Sequence, residues 1–274
     1  MPDAALAADL KTVIAAAKAG GALAAKHFKT TIKIWDKAKG DPVTEIDLAV
    51  NDLLETALRS ARPSYGWLSE ETKDTPQRLS AKRAWVVDPI DGTRAYIKGL
   101  PEYCISIACV EDGQPLLGVL YDPSADKTYA ALAGGGAQLN GTPITVSDWS
   151  DTLTSRMIMA QDMAEHRLWP KPWHPRALVR PNSMALRLGW VASGAYDLTI
   201  ALSDKQDWDI AAADIILSEA GGHLTDHHGK VRRYNQANTS HPFVVGAAPG
   251  VHTEACAQIR GLVANYQAEQ AAQQ

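Results

Sequence analysis

What this chain lacks narrows its class before any motif is read. It has only three cysteines in 274 residues. Cys104, Cys109 and Cys256 are odd in number and fall at no metal-type spacing. That argues against a disulfide scaffold and for reduced, buried thiols. The chain also lacks a positive excess: 27 Lys and Arg stand against 31 Asp and Glu, a formal net charge of −4. No extended basic surface is implied, so a dedicated nucleic-acid binder is not expected. No apolar run approaches the ~20 residues of a membrane span. Met1-Pro2-Asp3-Ala4 has neither the basic region nor the apolar core of a signal peptide, so a cytoplasmic location is the expectation. Internal repeats are absent as well.

What is present is a 46% hydrophobic chain, enough for one large or two moderate domains. The chain is organised around Trp85-Val-Val-Asp-Pro-Ile-Asp-Gly-Thr93. Ala84 to Val87 reads as a short buried strand. Pro89, with no N–H to donate, is expected to stop its ladder. Gly92 frees the backbone for a close approach, and Thr93 opens a helix expected to reach Lys98. Asp88 and Asp91 therefore stand at the mouth of a sheet beside a helix start. Carboxylates gather hard divalent cations, and free helix-start amides gather phosphate. The same dipeptides, Asp-Pro and Asp-Gly, are also ordinary turn formers.

Around that stretch the pattern is mixed α and β. Residues 4–27 form an amphipathic helix. Residues 31–40, with Lys33, Lys37 and Lys39, read as a short hairpin or a mobile flap whose lysines otherwise form a solvated face. Thr44 is a good N-cap, with Asp47 at the third helical position of a capping box. Asp47 thus has a structural role in view, beside a functional one as proton acceptor. A strand over 65–68 ends in Ser69-Glu70-Glu71. Segments near 103–110, 115–121 and 127–132, parted by Asp112-Gly113 and Asp122-Pro123, form an antiparallel meander. Gly134-Gly135-Gly136 lacks the setting of a nucleotide loop and reads as a turn, as does Asn140-Gly141. A domain boundary falls near 145–155, dividing the chain into 1–148 and 149–274. A helix spans 183–193 and a strand 196–201. A second helix opens at Asp207-Trp208-Asp209 and closes at Gly221-Gly222. His223, His227 and His228 read as surface histidines rather than a zinc site. A strand over 242–247 and a helix over 251–266 complete the chain, with residues 268–274 a fraying end.

Four fragments now stand together: Asp41-Pro-Val-Thr-Glu-Ile-Asp47, Ser69-Glu-Glu71, Trp85 to Thr93, and Trp208-Asp-Ile-Ala-Ala-Ala…Glu219-Ala-Gly-Gly222. In this order and spacing they resemble the inositol monophosphatase superfamily of Mg²⁺-dependent, lithium-sensitive phosphatases, over roughly residues 5–265. The resemblance implies a layered αβαβα sandwich in which an α+β N-terminal half carries most metal ligands and an α/β C-terminal half completes the site. It implies two to three Mg²⁺ ions. Glu70, Asp88 and the Ile90 carbonyl would hold the first, Asp88, Asp91 and Asp209 the second, and Glu70 would help a third. Gly92 and Thr93 amides would receive phosphate, and Asp91 and Asp209 would also face the substrate. Thr93, bonded to Asp47, would help deprotonate the attacking water, so Asp47, Glu70 and Thr93 are the expected catalytic group. Family members are commonly homodimers, and a homodimer is expected.

Within the superfamily, Arg94-Ala95-Tyr96 looks more like the 3′(2′),5′-bisphosphate nucleotidase branch, although Ala95 departs from its pattern. The acid that contacts polyol hydroxyls in the inositol branch is missing at Thr199-Ile200-Ala201, with Asp204 and Asp207 as possible substitutes. Arg180, Arg187, Lys205, Arg232, Trp173 and Tyr234 are available for a second phosphate and an adenine. The leading substrate is thus 3′-phosphoadenosine 5′-phosphate, ahead of inositol 1-phosphate, histidinol phosphate and fructose 1,6-bisphosphate. The other class is a non-catalytic partner of the transcription machinery; intact acids at every matched ligand position favour an enzyme.

Overall fold

The computed structural model describes residues 4–273. Its order begins with helix α1 (Ala4–His27), strands β1 (Ile34–Ala38) and β2 (Asp41–Thr44), and helix α2 (Glu45–Ala61). Thr44 closes the expected capping box on α2. Its hydroxyl oxygen accepts the amides of Ile46 and Asp47, while the Asp47 carboxylate accepts the Thr44 amide at 2.9 Å. β1 and β2 pair as an antiparallel hairpin, so residues 31–40 enter a hairpin whose second strand lies in the segment leading to α2.

Next come β3 (Gly66–Ser69), β4 (Arg83–Asp91), α3 (Thr93–Ile97), β5 (Cys104–Glu111), β6 (Gln114–Asp122), β7 (Lys127–Leu132), β8 (Ala137–Leu139) and β9 (Thr142–Ile144). These seven strands form one sheet in sequence order. β3 runs parallel to β4; the remaining neighbours are antiparallel. Both faces are covered, which explains the unbroken apolar runs. Along β5, Ile105, Ile107 and Cys109 face one core with α1 and α2, and Cys104, Ala108 and Val110 face another.

Pro89 does not end its strand as the sequence suggested. Asp88 pairs with Ser106 and Asp91 with Cys104, so three steps on β4 match two on β5. The extra residue is a bulge, and a bulge tolerates a residue with no N–H. It also bends the strand so that both aspartates leave it on the cleft side.

The second half contains β10 (Arg156–Ile158), α4 (Gln161–Ala164), β11 (Ala177–Val179), α5 (Met184–Ala192), β12 (Leu198–Ala201), β13 (Lys205–Gln206), α6 (Asp207–Glu219), β14 (His223–Thr225), β15 (Ser240–His241), β16 (Val244–Ala247) and α7 (Pro249–Ala272). Five of its strands form a sheet of order β11-β10-β12-β16-β14, and β13 pairs with β15 as a small ribbon. α5 and α6 lie between the two sheets, and α7 packs on the outer face of the second with Trp169 and Trp173. The α/β class and the helix–sheet–helix–sheet–helix layering match the expectation. α6 is apolar nearly all round because it is covered on two sides. Its contact with the first sheet needs Gly118, where a Cβ would sit 2.3 Å from the Ala212 carbonyl oxygen. The amides of Gly134 and Gly136 donate to Glu219 at 2.7 and 2.8 Å, so the glycine turn grips the end of α6. All three cysteines are free and buried. No described helix is long and apolar enough to cross a membrane.

Candidate active site

The bulged end of β4, the first turn of α3 and the first turn of α6 meet in a cleft of about 420 Å³. Glu70, Asp88, Ile90, Asp91, Gly92, Thr93 and Asp209 all line it. The structure thus brings together every candidate except Asp47, which lies behind Thr93. Asp88, Asp91 and Asp209 each present an oxygen within 4.8 Å of the others. Each also has one oxygen tethered by an amide. Ile90 N–H donates to Asp88 at 3.0 Å, Ala185 N–H to Asp91 at 2.6 Å, and Gln206 N–H to Asp209 at 2.7 Å. Three fixed, hard oxygen donors suit a divalent cation of the same character.

The electrostatics agree. Burial pushes the Asp88 carboxyl well above its ordinary range, and the charges of Glu70, Asp91 and Asp209 push it further. Burial also raises Asp91, against hydrogen bonds from Ser183 and Ala185. Asp209 is raised to about 7 by burial and then by Asp91. Buried like charges in one cluster are costly unless a cation offsets them.

One cation reaches in from the hairpin. Lys37 Nζ lies 2.7 Å from Glu70 and 2.9 Å from Glu71. Burial lowers the ammonium's pKa, but the two carboxylates outweigh it and hold Lys37 charged. Burial in turn raises Glu71 to about 7, in spite of Lys37. Arg94 donates to the Gly40 carbonyl at the hairpin tip. The flap residues thus close one wall of the cleft.

Thr93 Oγ1 lies 2.9 Å from Asp47 Oδ1 and 3.0 Å from the Ile90 carbonyl. Asp47 is buried, and that burial raises its pKa against the bonds from Thr44 and Thr93. Its capping-box and cleft roles coexist, because Oδ2 serves Thr44 while Oδ1 serves Thr93. Gly92 is required here. Its φ is +104°, and a Cβ would sit 2.6 Å from the Glu102 carbonyl.

The residues gathered for a second phosphate and an adenine are mostly elsewhere. Lys205 lines the cleft. Arg187 is buried and donates to the Pro181 carbonyl. Arg232 is buried and donates to the carbonyls of Pro242 and Phe243. Tyr234 is fully buried and bonded to Asp214 at 2.6 Å. Trp173 packs on Trp169 and, with Arg180, borders a different cavity. The two substitutes for the missing polyol acid part company. Asp204 lines the cleft, while Asp207 is fully buried and bonded to His241 and the Asn235 amide. Sequence reasoning also missed Asn182, Met184 and Gln206 as lining residues. Their only signal was adjacency to the starts of α5 and α6.

The chain is similar to known proteins along nearly its whole length. The model of the inositol monophosphatase family matches residues 6–269. Inositol monophosphatase 1 of Solanum lycopersicum is 34% identical over 231 residues, covering 80% of this chain and 85% of its own. The histidinol-phosphatase of Chlorobaculum parvum is 32% identical over 233 residues, covering 81% and 87%. The solved IMPase of Thermotoga maritima superposes with a TM-score of 0.79 at 28% identity, covering 94% of this chain and 98% of its own. With a family match along nearly its whole length, this chain belongs to the inositol monophosphatase family and is a phosphoric monoester hydrolase.

Proposed function

We propose that the protein is a Mg²⁺-dependent phosphatase of small, hydroxylated phosphate monoesters. The observation that carries this is the trio of amide-tethered carboxylates, Asp88, Asp91 and Asp209, beside the Thr93–Asp47 pair. Glu70, Asp88 and the Ile90 carbonyl are assigned to one Mg²⁺, and Asp88, Asp91 and Asp209 to a second, with Glu70 near a third. Mg²⁺ bound there supplies charge neutralisation and a more acidic water. The residues of the chain do the rest. Gly92 and Thr93, which line the cleft at the start of α3, are assigned to the phosphate through their amides. Thr93 Oγ1, giving its proton to Asp47, is left with a lone pair to accept one from water. The buried Asp47 carboxylate, with its raised pKa, is a stronger base than a solvated one. Residues 1–148 are read as the unit carrying most of these groups and 149–274 as the unit supplying Asp209 and a substrate wall.

That wall favours a polyol-like ester. Asp204 provides an acceptor for hydroxyl groups, and Asn182 and Gln206 add neutral partners. A nucleotide bisphosphate is the second reading, supported by Lys205 and Arg94 in the same cleft. The test is phosphate release in saturating Mg²⁺ from inositol 1-phosphate and 3′-phosphoadenosine 5′-phosphate side by side, compared by kcat/KM. A preference for the inositol ester that falls in Asp204→Asn supports the first reading. A preference for the nucleotide that falls in Lys205→Ala supports the second. No Mg²⁺-dependent release from either, or from histidinol phosphate, would defeat the assignment to this substrate class. A homodimer is proposed as well, checked by light scattering.

A further inference from the structure

The three carboxylates differ in where their tethers come from. Asp88 is held by Ile90, two residues away, and Asp209 by Gln206, three residues away. Asp91 is held from far along the chain: its Oδ2 accepts the Ser183 hydroxyl and the Ala185 amide, each at 2.6 Å, across 92 and 94 residues. Both donors belong to the start of α5, which Ser183 caps by accepting the Leu186 amide at 3.0 Å. The hydrogen bonds therefore form a chain, Leu186 N–H to Ser183 Oγ–H to Asp91 Oδ2. Accepting from the helix amide polarises the hydroxyl and strengthens what it donates. The Cys104 thiol, 3.6 Å from Ser183 Oγ, fills the remaining side of the hydroxyl, and Ser183 is wholly buried.

We infer that Ser183 is a positioning residue for metal binding, saturating Asp91 Oδ2 so that Oδ1 is aimed at the cation. The inference rests on the metal reading above and extends it to a residue that touches neither substrate nor ion. Partners behind a ligand typically change metal affinity by about 10- to 100-fold when removed. A serine at this position is also an ordinary helix cap, so loss of stability alone would say nothing.

The experiment is calorimetric titration of Mg²⁺ into the wild type, Ser183→Ala and Ser183→Thr, paired with unfolding midpoints in excess Mg²⁺ and in EDTA. A bound ion raises the midpoint by an amount set by its affinity, separately from any loss of the cap. Ser183→Ala is expected to weaken Mg²⁺ by about 10-fold or more and to shrink the Mg²⁺-induced rise in midpoint. Ser183→Thr, which keeps a hydroxyl, is expected to restore both. If Ser183→Ala does not fold, Ser183→Cys keeps the volume with a weaker donor and must show the same loss in smaller measure. Wild-type affinity and an undiminished rise in the folded variant, whatever its midpoint in EDTA, overturn the inference. A wild type that binds no Mg²⁺ overturns the metal reading itself, which separates the two failures.

Discussion

Two sets of buried carboxylates in this molecule have opposite electrostatics. Asp197, at the start of β12, is fully buried. It accepts the Arg156 amide and guanidinium at 2.7 and 2.6 Å, and Arg176 at 3.1 Å. Burial pushes its pKa up, but the bonds from Arg156 and Arg176 more than reverse this and bring it to about 2. Asp88 and Asp91 are buried too and Asp209 is partly buried, and all three rise instead. Burial is the common factor; the countercharge decides the sign. Around Asp197 the chain supplies the cation itself, and the result is structure. At the mouth of the first sheet it supplies amides and hydroxyls, with Lys37 engaged by Glu70 and Glu71. The charge balance there is left to something bound from outside, which is how a site differs from a strut.

Substitution should sharpen that contrast. Asp88→Asn is expected to reduce Mg²⁺-dependent phosphate release by about 10³-fold or more, since a cation's stabilisation of transition-state charge amounts to several kcal/mol. The same change should leave the EDTA-treated protein as stable as the wild type or more so at pH 8, because a repelled carboxylate is gone. Thermal unfolding in EDTA checks it, and a clear loss of metal-free stability would break the comparison. Asp197→Asn should do the reverse: a loss of about 3 kcal/mol in urea unfolding, the lower end for a broken buried pair because Arg156 and Arg176 reach solvent, with kcat of the folded enzyme largely kept.

The smallest expected effect is in the pH dependence of stability. A carboxyl whose pKa is raised on folding binds more protons folded than unfolded, so it costs stability as pH rises from its unfolded value towards its folded one. For Asp209 that window runs from 3.8 to about 7. The metal-free midpoint is therefore expected to fall between pH 5 and pH 7.5, and excess Mg²⁺ should flatten the fall. Asp197 has the opposite sign: its contribution is complete above 3.8 and lost as pH falls through about 2. Melting curves across pH, with and without Mg²⁺, read both windows. A metal-free midpoint that climbs steadily to pH 7.5 would contradict the raised group.

Particular residues show how far the chain could be read before it was folded. The capping box at Thr44 was legible because its partners lie three residues apart. The meander was legible because turn signals bound each strand. Asp88, Asp91 and Asp209 stood out because their local settings repeat a family pattern. Three of the groups assigned to a nucleotide were misread for one reason: Arg187, Arg232 and Tyr234 lie inside the fold, bonded to carbonyls or to Asp214. A sequence states the presence of a guanidinium, not its depth. Asp207 and Asp209 make the point at close range. They sit two residues apart in one helical turn, about 200° apart around the axis, so one locks onto His241 and the other faces the cleft.

The sequence by itself determined the local physics: which segments bury both faces, where helices start, and which acids stand at strand and helix ends. Only the tertiary structure decided which partner each of those acids meets. It set Lys37 against Glu70, Arg156 against Asp197, and Ser183 against Asp91. Each of these pairs spans at least 33 residues of chain. Patterns of period two or 3.6 carry no information at that range; the packing of two sheets around α5 and α6 does.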